Sequence, residues 1–277
     1  MKNWFLTLDP EPRRGSLNMA VDEYLFTKLT GEPGTYLRFY TWKHPTASVG
    51  YSQNVNRVAD IEFCRKNGVD VVRRLTGGKL VLHHREITYS LCSSDTDTFS
   101  KTVGESYRLI SLGLMKGLER MGLNPVLADA PPQEYSRGIL PCFAHPARNE
   151  VEVAGKKIIG SAQKRVGERF LQHGSIPVEN DEALLQSVSA LPPAENVLRI
   201  VSLPEALGRT VSFDWAVNYF VEGLAEFFQV SFQKLGFSAE EMEKIKGIEA
   251  ARYANPDWTF RNGDDTILMT NKAEENE

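Results

Sequence analysis

Cysteine is scarce in this chain: Cys64, Cys92 and Cys142 lie far apart, and none belongs to a CxxC pair. Such sparse usage excludes a disulfide framework and a zinc ribbon. No run approaches the roughly 18 apolar residues that a membrane span requires. The opening segment, Met1-Lys2-Asn3-Trp4-Phe5-Leu6, lacks a sustained apolar core followed by a small-residue cleavage site. An excess of basic charge is missing too: 32 Lys and Arg stand against 36 Asp and Glu, a net charge of −4. Bulk electrostatics therefore give no pull toward nucleic acid, and any anion site must be local. No internal repeat or low-complexity tract precedes the tail. These absences lead us to expect a soluble, cytoplasmic protein from a reducing compartment.

What is present is ordinary globular composition, 42% hydrophobic and 25% charged over 277 residues. That length can bury a sizeable core without staples. Leu17, Ala20, Val21, Tyr24 and Leu25 follow the spacing of one helix face, with Ser16 placed to cap it. Tyr36 to Trp42 is aromatic-rich and reads as a strand, and Val69 to Arg73 as a second strand after the Asn67-Gly68 turn. Leu80 to Leu91 reads as one long strand in which Ile87, Tyr89 and Leu91 share a face. Ile110, Leu114, Leu118 and Met121 mark a helix that stops at Gly122. Residues 123–148 hold Pro125, Pro131, Pro132, Pro141 and Pro146 and read as a long excursion, a kind of loop that is usually functional.

Two hairpins follow. The first runs from Glu150 to Val153 and turns at Ala154-Gly155 into Lys157 to Ala162; the second turns at Val166-Gly167-Glu168 into Phe170 to Pro177. After about residue 180 the pattern becomes helical, with Val217, Phe220, Val221, Leu224 and Phe228 on one face and a capping-box signature at Ser238 to Glu241. Strands early and mid-chain, with helices concentrated late, give an α+β class. We expect one domain over residues 1–260 and an acidic, frayed tail over 261–277.

Three segments could carry chemistry. Arg73-Arg74-Leu75-Thr76-Gly77-Gly78-Lys79 sits between predicted strands and combines paired glycines with planar and point positive charge. Its bland reading is a Gly-Gly turn with solvated flanks; it is neither a Walker A loop nor a GxGxxG motif. Cys142 lies in Leu140-Pro141-Cys142-Phe143-Ala144-His145-Pro146 and would become nucleophilic beside a cation. Its alternative is a buried, inert thiol, the reading also given to Cys64 and Cys92. Lys157-Ile158-Ile159-Gly160-Ser161-Ala162 describes a strand whose lysine can point into a pocket beside small residues, or else face solvent. His173-Gly174 would pair with it, His173 being a core histidine or a site residue. His83-His84 lacks a second ligand pair at suitable spacing, so no metal is expected.

Taken in order, Asn18 to Glu23, Leu37 to Trp42 with Gly50-Tyr51-Ser52-Gln53, Arg73-Arg74-x-x-Gly77-Gly78, Lys157-x-x-Gly160-Ser161-Ala162 and His173-Gly174 resemble the biotin/lipoate protein ligase and octanoyltransferase family. The segment Cys142-Phe143-x-x-Pro146-x-x-x-Glu150 is similar to its cysteine-dependent, LipM-type octanoyltransferase branch. Arg148-Asn149-Glu150 is instead closer to the ligase pattern, and Lys79 stands where ligases carry a third glycine.

The resemblance implies a mixed or antiparallel sheet flanked by helices, class II synthetase-like. It implies Cys142 and Lys157 as catalytic residues. It implies substrate binding by Arg73, Arg74, Gly77, Gly78, Lys79, His83, Gly160, Ser161, Ala162, His173 and Gly174. The expected reaction takes an octanoyl group from acyl carrier protein, through an acyl-cysteine, to a lysine of an apo lipoyl-domain protein such as glycine cleavage H protein, without a cofactor. Acidic carriers would meet a basic patch of Arg73, Arg74, Lys79 and Lys156. The alternatives are an ATP-dependent lipoate ligase, which needs ATP and magnesium, and a non-catalytic binder of lipoyl domains.

Overall fold

The computed structural model describes residues 4–99, 101–128, 149–191 and 200–261. Within them β1 (Trp4–Arg13), β2 (Thr35–Trp42), β6 (Glu86–Ser93), β7 (Pro125–Leu127), β8 (Val151–Val153), β9 (Lys156–Val166), β10 (Arg169–Pro177) and β11 (Gln233–Lys234) form one mixed sheet. Its order is β11-β1-β2-β6-β10-β9-β8-β7, parallel only where β1 meets β11 and β2. A smaller sheet holds β3 (Thr46–Val49) between β4 (Asp70–Arg73) and β5 (Val81–His83).

Strand alternation distributes each strand between two cores. Leu37, Phe39, Tyr89 and Leu91 face the helices Val103–Arg120 and Phe213–Phe228, where Leu114 and Phe220 complete the packing. Tyr36, Cys92 and Leu171 face the other way, onto Leu25 of the helix Gly15–Lys28 and Ile245 of the helix Ala239–Ile248. Each large apolar side chain buried this way contributes about 1.5–3 kcal/mol. Because both faces are covered, β2 is buried from Thr35 to Tyr40 without interruption. Among the described residues no helix is long and apolar enough to cross a membrane.

The α+β class, the two hairpins and the Ser238 capping box are as the sequence indicates. Two local expectations need correction. Leu80 to Leu91 is two strands in different sheets, because Arg85 adopts a left-handed φ of 49° and turns the chain between His83 and Glu86. Ser16 does not cap its helix: Arg14 holds that position, and the Ser16 hydroxyl donates instead to Glu249 at 2.5 Å. The excursion at 123–148 begins as β7, and the rest of it, including Cys142, lies outside the described residues, as does the tail beyond Arg261.

Candidate active site

A cleft of about 440 Å³, partly open to solvent, lies between the two sheets and the helix Gly15–Lys28. Lys157, Gly160, Ser161 and Ala162 of β9 line it, and His173 and Gly174 of β10 stand opposite. Arg74 and His83 complete the set of sequence-expected residues that the fold brings together here. Arg73, Gly77, Gly78 and Lys79 do not line the cleft.

Lys157 and Glu150 define its charged end. The ammonium donates to Glu150 Oε1 at 2.6 Å, with side-chain exposures of 3% and 4%. The ladder between β8 and β9 shifts register between Val151 and Glu152, directly after this carboxylate. A buried, paired ammonium beside Gly160 and Ala162 is a fixed positive charge in a poorly solvated place, where electrostatic effects on a reacting carbonyl are large.

The arginine pair serves the loops. Arg73 is fully buried and donates to the carbonyls of Gly50, Tyr51 and Gln53 at 2.6–2.9 Å, and to Thr259 at 2.8 Å. Burial, followed by the charge of Arg261, brings its pKa down to about 10. Arg74 donates to Ser48 O, Gly77 O and Lys79 O at 2.7–2.8 Å, which fixes the Gly-Gly turn. Gly50 and Gly78 touch so closely that a Cβ on Gly50 would lie 2.0 Å from Gly78 O. The expected surface patch of Arg73, Arg74, Lys79 and Lys156 therefore does not exist as such, because its two arginines are internal, their guanidinium groups occupied by backbone carbonyls.

Two buried histidine networks support the cleft wall. His83 stacks on Trp42 at 4.1 Å and bonds Ser48 Oγ and Glu86 Oε1, both at 2.8 Å. Glu86 also accepts from Ser175 at 2.5 Å, and Thr88 accepts from Trp42 at 2.7 Å. His173 bonds Thr76 Oγ1 at 2.7 Å and Asp22 Oδ2 at 3.3 Å. Burial keeps His173 below its usual pKa, although the bond to Asp22 and its charge act the other way. Burial alone would raise Asp22, but His173, Arg38 and Ser90 outweigh it and hold the carboxyl below its ordinary range. Arg38, also fully buried, joins Asp22 to Asp9 at 2.9 and 2.8 Å.

Cys142, the expected nucleophile, lies outside the described residues. The two described thiols are poor nucleophiles. Burial, then Asp60, pushes Cys64 up to about 11, and burial lifts Cys92 well above its ordinary value. Sequence reasoning missed Met19, Tyr40, Trp42, Ser48, Val81, Thr88 and Ser175 as lining residues and Glu86 as their hub. For Ser48, Thr88, Ser175 and Glu86 the local signal is a polar residue placed in a buried strand; Met19, Tyr40, Trp42 and Val81 read as ordinary core.

The profile of the family described as "Lipoyl protein ligase A/B catalytic domain" matches residues 14–225. An "Octanoyltransferase LipM" of Carboxydothermus hydrogenoformans is 37% identical over 257 residues, covering 89% of this chain and 95% of that protein. One from Kyrpidia tusciae is 36% identical and covers 94% of this chain and 100% of its own length. In fold, the chain is similar to a lipoate-protein ligase A bound with ATP (TM-score 0.78, 21% identity, 95% and 100% coverage). It is also similar to a bi-partite lipoate protein ligase from Thermoplasma acidophilum (TM-score 0.77, 20% identity, 95% and 98% coverage).

Proposed function

This chain belongs to the lipoyl protein ligase A/B catalytic domain family, and from that premise we infer that it is an octanoyltransferase acting in protein lipoylation. The acceptor is a lipoyl-domain protein. The donor we propose is an octanoyl thioester of acyl carrier protein, and the glycine cleavage H protein is the acceptor of choice.

The reaction proceeds in two acyl transfers. The Cys142 thiolate attacks the thioester carbonyl; the donor's C–S bond breaks and its thiol leaves with a proton. The ε-amine of the acceptor lysine then attacks the acyl-cysteine, forming an amide, losing a proton and returning the Cys142 thiol. Thioester exchange is nearly isoenergetic and amide formation runs downhill, so no nucleotide is required. Lys157 stabilises the negative charge that develops on sulfur or carbonyl oxygen. The six methylenes of an octanoyl chain in the apolar part of the cleft, at about 0.8 kcal/mol each, give roughly 5 kcal/mol before ordering costs.

The observation that supports this reading is the buried Lys157 ammonium in a cleft where Gly160, Ser161, Ala162 and Gly174 leave room and Met19, Trp42 and Val81 add apolar surface, beside Arg74, His83 and His173. Intact-protein mass spectrometry with octanoyl-carrier protein and no ATP tests it. We expect a gain of one octanoyl group, lost or converted to a hydroxylamine-resistant ester in Cys142→Ser. Product formed only when ATP is added would replace this course by an acyl-adenylate, and acceptor binding without any product would leave a non-catalytic binder.

A further inference from the structure

Beside the cleft lies a second depression, about 660 Å³, lined by Phe26, Tyr51, Leu75, Lys164, Arg169 and Trp258 among others. It adjoins the cleft along two elements. On β9, Lys164 stands two residues beyond Ala162 and therefore on the same face. On the preceding loop, Leu75 lies in the depression, while its neighbour Thr76 holds His173 of the cleft.

Its charge differs from that of the molecule as a whole. Lys164 Nζ lies 4.7 Å from the Tyr51 ring centre and Arg261 Cζ lies 4.1 Å from it, so one ring carries two cations. Arg169 sits over Phe26 at 5.4 Å. Among the described residues Lys164, Arg169 and Arg261 have no carboxylate within ion-pair distance, whereas Arg252 is paired with Glu23. Glu23 also lines the depression but is taken up by Arg252, so the cations gathered on aromatic faces leave a positive potential that an anionic partner lowers.

We propose that this basic, aromatic depression is the docking surface for an acidic face of the acyl-donor protein. The inference rests on the two-protein transfer described above. Of the two partners, the acceptor has to present a lysine ammonium, which this surface repels. Another depression shares Ser175 with the cleft and carries Glu86, Glu179, Asp181 and Glu182; Arg85 pairs with Glu179 and His84 lies against Asp181, but the carboxylates outnumber these partners, so it would repel an acidic donor. Charge complementarity thus assigns the donor to the Tyr51 side. It also moves the expected donor contact away from Arg73 and Arg74, which are internal.

The test uses the full chain, the double variant Lys164→Glu/Arg169→Glu and the milder Lys164→Gln/Arg169→Gln. Each receives an octanoyl group from a carrier-protein thioester and, separately, from octanoyl-pantetheine, which has no protein surface. We expect the charge-reversed variant to raise KM for the carrier donor about tenfold with kcat retained, the neutral variant to raise it less, and added salt to narrow the difference. KM for octanoyl-pantetheine and for the acceptor should stay as in the unaltered chain. A rise in the acceptor's KM, an equal effect on both donors, or no effect on either would overturn the assignment. Fluorescence anisotropy of labelled carrier protein needs no turnover: binding weakened by charge reversal supports the surface, and unaltered binding removes it. An unaltered chain that transfers from neither donor would instead count against the reaction itself.

Discussion

The Lys157 ammonium sits 2.6 Å from Glu150, with both side chains almost wholly buried. Removing one partner takes from the other its buried counter-charge, so Glu150→Ala and Lys157→Ala should each destabilise the fold, by up to about 3–5 kcal/mol. The apolar double variant Lys157→Met/Glu150→Leu removes both charges and should recover most of that stability. It should still transfer no octanoyl group. Urea unfolding together with the mass assay separates the two roles: a double variant that regains both stability and transfer would make the pair purely structural.

Stability should depend on His173 in mildly acid solution. Its folded pKa lies below the ordinary 6.5 because burial disfavours the charged ring. Below that value the unfolded chain binds a proton that the folded chain resists, so this contribution is complete above 6.5 and lost as pH falls toward the folded value. Asp22, held below its ordinary 3.8, gives up its own contribution only in stronger acid. Melting temperature measured from about pH 7 to pH 5 should therefore fall less steeply for His173→Gln than for the unaltered chain. Equal slopes would mean that the ring titrates alike in the folded and unfolded chain.

Parts of this architecture are legible in short stretches of sequence because short-range chemistry decides them. Ala154 and Gly155 supply two consecutive left-handed residues, φ 51° and 72°, and the hairpin follows. Ser238 and Glu241 satisfy each other's backbone N–H groups within one turn. The site is different. Arg73 looks like a surface cation until the carbonyls of Trp258 and Thr259, more than 180 residues away, close around it. Lys157 stands out as a lysine among Ile158 and Ile159, yet nothing nearby marks Glu150 as its partner. Asp22 and Glu86 are hubs only because β2, β6 and β10 lie side by side.

Gly174 of β10 packs tightly against β9 and Tyr89 at the cleft. A Cβ there would lie 2.5 Å from both Ser161 Oγ and the Tyr89 ring, and 2.8 Å from Gly160 O. Tyr89 has little room to give, since its hydroxyl bonds Ser161 and Gln172 at 2.7 and 2.8 Å. Gly174→Ala should destabilise by about 1–3 kcal/mol, read as a drop in Tm of roughly 2–4 °C per kcal/mol. Transfer should suffer beyond that loss, because the displaced backbone is the wall of the cleft. Full activity at a temperature where the variant is folded would show that Gly160 and Ser161 tolerate displacement.

Ala162 offers a test of where the acyl chain lies. It shares the cleft with Met19, Trp42 and Val81. Ala162→Leu fills space there without altering charge. If the octanoyl tail occupies that space, excluding two or three methylenes at about 0.8 kcal/mol each removes roughly 2 kcal/mol of binding. That corresponds to about thirtyfold in kcat/KM. A butanoyl donor ends short of the added side chain and should lose little. The ratio of kcat/KM for octanoyl and butanoyl pantetheine thioesters is the measurement, because fold damage affects both donors alike and cancels. An unchanged ratio would place the chain along another wall, and the small residues of β9 would then serve the approach of the acceptor lysine rather than the tail.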